Sequence, residues 1–548
     1  MKTRLLHRGF GIAVGLILTA VLALPMLHAE SKPVLTVSMT SPGTLFNIAE
    51  KIATLTGTLD AFNDSAAPFK ELKGINPKNP ILLVFHAEGN DFKDPLLFLP
   101  ITDLDKVELP GLDMLLTQAK KESEGKYLIN SPVGAFILTQ KKGYLVASSE
   151  SSDMSVPDDP AKFLKGLEEY SLGIRIDFEN TSAEAIQMLL APLQLIAGMQ
   201  GGEQVMQAFE QINQSVELMC KECRSMTIGL TMDPKTGNAS LQTKTVAKKG
   251  SFAEKQLAAL KGAKTIFGGF LGDENAVVSF SSVGMGIKDS TQMNMLKGQI
   301  DQLVAGLIEQ VEENAEEDED IQLVETVAAS LKKIYLATLA QDKTDFGFSL
   351  GNDGTFAWGM NIAETKELDV IHAVVMKRLA KLAASNEKLA TVLTKLKMNY
   401  ATVDGFQLSS FVLPLNVFAD KPGFSEFFAD KTFYLYRGLK DDALVLFGGF
   451  DSKSEDRLKA AIAAMKKPVV LSGNGKVSMQ QLGRLLKNFQ VDQIDPQAAV
   501  VVKTFLDAGA DANITMSQTV VKDTLEAQVS VDGKIWEALA RIVKAAAE

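Results

Sequence analysis

The sequence predicts an α+β protein of mostly antiparallel sheets covered by helices. The first observation is local: two alternating strands joined by a Gly-containing turn run straight into an amphipathic helix over Ser225 to Leu260. The second is its return at Thr344 to Leu382 and Asn513 to Val543, and more faintly at Pro80 to Leu116. The third is the change of apolar period within each copy, from two to near 3.6, which marks a half-buried hairpin followed by a one-faced helix. A hairpin with one or two helices buries too little to stand alone. The copies are therefore expected to share sheets, each covered by helices on one face.

Before the first copy, Lys2, Arg4 and Arg8 precede an apolar run from Gly9 to Leu24 and then small or polar residues. This is the pattern of a secretory signal peptide, and cleavage after Ala29 is expected, which makes residues 1–29 a leader. The apolar run is shorter than the roughly twenty residues a spanning helix needs. No later stretch is long enough either, so the mature chain is expected to have no transmembrane helix.

The first copy reads as a strand, Val34 to Met39, and a helix opened by Ser41-Pro42 with Leu45, Ile48, Ile52 and Leu55 on one face. A hairpin, Ile81 to Phe85 and Leu96 to Ile101, and a helix from Asp103 complete it. The second copy starts at Leu172 to Phe178 and continues through helices over Ala183 to Ala197 and Glu203 to Met219. In its hairpin Met226, Ile228, Leu230 and Met232 alternate with Thr227, Gly229 and Thr231, and the run Asp233 to Asn238 supplies turn chemistry. Ser251 and Glu254 then form a capping box.

The third copy begins at Ala276 to Ser282 and holds the longest helical region, Thr291 to Leu339. Phe346, Phe348 and Leu350 face one way before the turn Gly351 to Gly354, and Phe356, Trp358, Met360 and Ile362 return. Leu368, Ile371, Val375, Leu379 and Leu382 then form a helical stripe. The fourth copy starts at Val469, where Gly473-Asn474-Gly475-Lys476 reads as a turn before helices over Met479 to Phe489 and Pro496 to Leu506. Its hairpin pairs Ile514 and Met516 with Leu525 to Val531, and a helix capped by Asp532 carries Ile535, Leu539 and Ile542.

A connector hairpin, Ala135 to Thr139 and Tyr144 to Ser148 with a helix from Pro160, lies between the first two copies. Its counterpart, Phe433 to Arg437 and Ala443 to Gly449 with a helix from Ser454, lies between the last two. The matching order predicts about four β-α-β-β-α units in two tandem-duplicated halves, with domains at 30–262 and 263–548. The second half carries an acidic insertion at 309–325, dense enough in Glu and Asp to be solvated.

The chemistry is sparse. The formal charge of −11 becomes about −14 without the leader, which argues against nucleic acid or an anionic membrane as partner. Beyond the leader the imidazoles are His86 and His372, each expected to be a partly buried structural residue. No Gly-x-Ser-x-Gly elbow or phosphate loop occurs. The expectation is no catalytic, cofactor-binding or metal site, and no cofactor. Cys220-Lys221-Glu222-Cys223 closes a helix rather than opening one, so the dipole does not favour a thiolate there. In an oxidising compartment Cys220 and Cys223 are expected to form a local disulfide. Methionines such as Met188, Met206, Met219, Met285, Met293 and Met295 mark helices over sheets, as core filling or as an adaptable apolar groove. Phe267-Gly268-Gly269-Phe270 and Phe447-Gly448-Gly449-Phe450 repeat four letters at non-equivalent places.

With its signal peptide and hairpins such as Met226 to Thr245, the chain resembles uncharacterised large exported bacterial proteins built from repeated hairpin-helix units. The resemblance covers most of the mature chain. It implies a periplasmic or envelope setting and supplies no activity or site residue; export by itself leaves periplasm or extracellular space as the expected location. The expected function is a non-catalytic exported binding protein or scaffold with an envelope protein partner. The alternatives are a carrier of a lipid or other apolar ligand, and a hydrolase with an acidic site.

Overall fold

A computed structural model describes residues 32–545 except 56, 67–72, 89–90, 93–94, 108–118, 124, 132–133, 150–158, 189–212, 214, 289, 313–317, 416–430, 471–472 and 494–495. The leader and the segment 199–206, with Met199 and Met206, lie outside the described residues. The chain forms an α+β structure of two compact units, residues 1–258 with 521–541, and residues 259–520 with 542–548.

The first unit runs β1 (Lys32–Met39), α1 (Pro42–Leu55), α2 (Leu59–Ala66), β2 (Ile81–Glu88), β3 (Asp91–Phe92) and β4 (Leu96–Pro100). It continues with β5 (Lys120–Ser123), β6 (Lys126–Ser131), β7 (Gly134–Lys141), β8 (Tyr144–Ser149), β9 (Leu172–Asp177), β10 (Cys223–Met232), β11 (Ala239–Ala247) and α3 (Phe252–Leu260). The second unit runs β12 (Lys264–Thr265), β13 (Ala276–Met285), α4 (Ser290–Glu312), α5 (Asp318–Leu339), β14 (Lys343–Gly351), β15 (Phe356–Asn361), α6 (Lys366–Ala384) and α7 (Glu387–Leu393). Then come β16 (Lys397–Val403), β17 (Phe406–Pro414), β18 (Thr432–Lys440), β19 (Ala443–Gly449), α8 (Ser454–Ala464), β20 (Val469–Val470), β21 (Gly473–Ser478), α9 (Met479–Asn488), α10 (Pro496–Asp507) and β22 (Asn513–Val521). The chain then returns to the first unit as β23 (Thr524–Val531) and α11 (Gly533–Ala545).

Among the described residues every ladder is antiparallel. In the first unit the pairing order is β5-β6-β7-β8-β4-β2-β1-β9-β10, and β11 and β23 follow. In the second it is β16-β17-β18-β19-β15-β14-β13-β21-β22. These two orders correspond strand for strand. Within each order the corresponding central pairings are β1 with β9 and β13 with β21.

Both faces of the sheet are buried where β2, β4 and β8 meet. Leu82, Val84, Leu96, Phe98, Tyr144 and Val146 pack on Phe163 and Leu164, while Leu83, Phe85 and Leu97 pack with Val34 and Ala185 on the other face. Burial on both sides removes the need for alternation, which is why Ile81 to Phe85 is a continuous apolar run. Coverage is thus two-sided here, where one covered face was expected.

Two aromatic side chains lie across paired glycines. In the first unit Gly173 of β9 faces Gly229 of β10, and a Cβ on Gly229 would stand 2.1 Å from the ring of buried Tyr170. In the second, Gly347 faces Gly359, and Cβ atoms there would meet Phe267 at 2.4 and 2.3 Å. Phe267 is seated by Asp345, whose carboxylate accepts from Thr265 Oγ1 at 2.7 Å and from the Ile266 N–H at 2.8 Å. Burial raises the Asp345 pKa, and these hydrogen bonds offset part of the rise.

Several local expectations change. The helix expected from Pro160 is a 3-10 turn ending at Leu164, and that expected from Asp103 is described only as a 3-10 turn, Leu104–Lys106. Gly473 to Lys476 is not a turn but part of β21, where Gly475 leaves room for the ring of Phe280, 2.9 Å from a Cβ placed there. The strand β5 leaves no period in the sequence, because the exposed run Lys120–Ser123 buries neither parity. The division between units also differs from one at 262/263: residues 521–541 belong to the first unit, because β23 pairs with β11.

Substituting Gly229 or Gly359 by Ala forces a methyl into an aromatic ring, an overpacking cost of typically about 1–3 kcal/mol. The control is Gly306→Ala on α4, where nothing lies within 4 Å and relief of the glycine penalty stabilises by roughly 0.5–1 kcal/mol. Urea denaturation of the three variants checks both signs.

Candidate functional site

The strands β9, β10, β11 and β23 present one polar and one apolar side because their register keeps like parities together. One cross-strand row is Arg175, Thr227, Lys244 and Glu526, and the next is Gly173, Gly229, Gln242 and Gln528. Beside the turn that carries Tyr170, this polar face sinks into a depression of about 520 Å³ lined by Lys165, Arg175, Arg224, Thr227, Lys244 and Glu526, among others.

Three of its cations have carboxylate partners. Arg175 Nη2 lies 2.7 Å from Asp177 Oδ1, Lys244 Nζ lies 2.7 Å from Glu169 Oε1, and Arg224 Nη2 lies 3.7 Å from Asp523 Oδ2. Lys244 also lies over the Tyr170 ring, 5.6 Å from its centroid, and Tyr170 donates to Gln242 Oε1 at 2.8 Å. Burial pulls the Lys244 ammonium down, but the hydrogen bonds and charges of Glu169 and Tyr170 together outweigh it and the net shift is upward. The same bond holds Glu169 below its ordinary value. Side chains already neutralised in pairs suit hydrogen-bonded contact with a partner surface better than proton transfer. The lining contains neither histidine nor cysteine.

None of these residues stood out in the sequence, although the signal was present. Thr227, Gly229 and Thr231 mark the polar parity of β10 as clearly as Met226, Ile228 and Leu230 mark the apolar one. Which carboxylate meets which cation depends on register.

Cys220 lies in the last turn of the helical residues 215–222 and Cys223 opens β10. Both are free thiols. Burial raises both pKa values, that of Cys223 to about 11, so neither is a ready thiolate near neutrality. His86 is buried with its ring edge-on to Phe163 at 5.6 Å, and its Nδ1 has no hydrogen-bond partner among the described residues. His372 is half-buried on α6. Among the described residues no group of three or more His, Cys, Asp or Glu is placed to hold a metal ion. No described helix is long and apolar enough to cross a membrane.

The acidic run 309–325 is the end of α4 and the first turns of α5, with 313–317 outside the described residues. Asp320 Oδ2 accepts from Arg378 Nη2 at 2.8 Å and Glu319 from Lys381 at 2.8 Å, so part of the run is paired with α6. Acids in the first turn of α5 also suit its dipole. Of the repeated Phe-Gly-Gly-Phe quartets, Phe267, Phe270 and Phe447 share one core.

The α4–α5 pair leaves apolar surface open. Leu303 is 69%, Leu307 55%, Leu331 51% and Tyr335 43% exposed. The two helices are joined by the Asp301–Lys332 ion pair. At 100° per residue, Leu303, Leu307 and Leu331 project roughly 100–160° around from those charged residues. These three leucines thus point away from the ion pair.

Comparison with protein-family models, curated proteins and solved structures returns no match.

His86 gives a pH test. Burial lowers its pKa from 6.5 to about 4. Between these values the unfolded chain binds the proton and the folded chain does not, so stability is full above pH 6.5 and falls as pH drops. Linkage gives a loss of about 2 kcal/mol between pH 7 and pH 5 from this group. Urea denaturation at the two pH values should show that loss in the wild type and a smaller one in His86→Gln.

Proposed function

We propose that this chain is an exported, non-catalytic binding or scaffold protein of the periplasm or cell envelope. The observation that carries the reading is the exposed apolar surface of α4 and α5, with Leu303, Leu307, Leu331 and Tyr335. Clusters of exposed apolar side chains mark contact sites. Leu230, Leu241 and Val529, in one cross-strand row on the apolar side of the first unit's sheet, are exposed as well. The matching strand orders support descent of the two units from one duplicated ancestor, an origin suited to a scaffold that presents related surfaces twice. The hydrolase reading has less support, since Asp177, Glu169 and Asp523 at the depression each face a cation.

Export predicts that the mature chain begins after Ala29, which N-terminal sequencing of protein from an envelope fraction reads directly. Gentle crosslinking of that protein should then recover a discrete partner. Leu303→Asp with Leu307→Asp should lower its recovery about tenfold or more, the equivalent of at least ~1.4 kcal/mol, while circular dichroism stays unchanged. Wild-type protein that captures nothing would overturn the reading.

A second reading, a carrier for an apolar ligand, is favoured by the exposure of Met295 and Met516 in the second unit and of Met188 in the first. Thioethers are adaptable linings for apolar chains. Native mass spectrometry of freshly purified protein would show a bound small molecule under this reading and bare protein under the first.

A further inference from the structure

We propose that Cys220 and Cys223 form a thiol–disulfide exchange site whose oxidation repositions Arg224 in the polar depression. The inference concerns the depression and does not depend on the α4–α5 surface.

Both thiols belong to one apolar cluster with Phe178, Ile186 and Met219. Cys223 Sγ lies 3.6 Å from Met219 Sδ, which aims it at the last helical turn, and Cys220 is the next residue in that turn. Cys223 is extended rather than helical, so the pair bridges the junction of helix and strand, and a disulfide holds its two Cβ atoms about 3.8 Å apart. Closing the bond therefore draws the start of β10 onto the last helical turn.

The surroundings decide where that movement goes. Glu222, between the cysteines, is held by the Ala253 N–H on its carboxylate at 3.0 Å and the Lys248 N–H on its carbonyl at 2.8 Å. Beyond Cys223 the β10–β11 register shifts, between Cys223 and Ser225, so Arg224 sits in an irregularity of the ladder. A bulge accommodates a change of strand path more readily than paired residues do and re-aims its side chain. Arg224 lines the depression, and its ion pair with Asp523 is long and half exposed.

Exchange needs a disulfide compound as oxidant, such as glutathione disulfide. Cys220, the more accessible thiol, loses its proton and its thiolate attacks one oxidant sulfur. The S–S bond of the oxidant breaks, one half leaves as a thiolate that takes up a proton, and a mixed disulfide remains. The Cys223 thiolate then attacks Cys220 Sγ and expels the second half. Two thiols are oxidised, one disulfide is reduced, and the two thiol protons end on the released thiols. Because burial holds both pKa values up, the reaction quickens as pH rises.

The test incubates folded full-length protein with glutathione disulfide and follows intact mass. Wild type should lose two hydrogens, Cys223→Ser should stop at the mixed disulfide, and Cys220→Ser should stay unmodified. Phenylglyoxal labelling, mapped by peptide mass, should then modify Arg224 at a rate several-fold different in oxidised and reduced wild type. A wild type that stays reduced or stops at the mixed disulfide while folded overturns the exchange site. Equal Arg224 labelling in the two states overturns the coupling.

Discussion

The rest of each unit depends on close approach between an aromatic ring and a pair of glycines facing each other across two strands. Tyr170 on Gly173 and Gly229, and Phe267 on Gly347 and Gly359, can lie against the backbone only because no Cβ intervenes. Each ring anchors a short turn that covers the sheet. The Tyr170 turn carries Phe163 and Leu164 onto the β2–β4–β8 core, and the Phe267 turn carries Phe270 into a core with Leu408, Val445 and Leu458. A ring buried over a glycine pair gives up no cross-strand hydrogen bonds and excludes water from them, so the ladder and its cover stabilise one another.

That constraint also shapes the candidate site. Past Tyr170 the cover of the first unit ends, and the parity that was apolar beneath Phe163 becomes Arg175, Lys244, Gln242 and Glu526. The phenol marks the transition, its ring buried and its hydroxyl donating to Gln242. Pairing the charges within the sheet keeps an exposed face soluble without concentrating either sign. In the second unit α4 and α5 leave apolar side chains exposed instead, Leu303, Leu307 and Leu331 among them.

Much of the fold was legible in the sequence wherever one face is buried and the other wet. The hairpins at Met226, Phe346 and Leu525 and the helix stripes at Leu368 and Ile535 announced themselves by period, because burial on one side imposes it. Legibility failed at the extremes of burial. Lys120–Ser123 is exposed on both sides, and β21 is rich in glycine because Phe280 needs the room. In each case the alternation that reveals a strand is absent for a physical reason. The depression was illegible in a different way: Arg175, Thr227, Lys244 and Glu526 come from four strands that span some 350 residues, a row that exists only once register is set.

By itself the sequence determined the class of the protein: local period, capping residues and turn chemistry dictate hairpins and helices, and their order dictates α+β. Tertiary structure decided how those pieces share sheets. It joined the opening strands β1 with β9 and β13 with β21, and it returned β23 to the edge of β11. The physical reason is that periodicity reports how each residue meets water, whereas pairing partners are selected by register and shape among many strands with the same periodicity. The site belongs to the second kind of information, because its charges meet only through that selection.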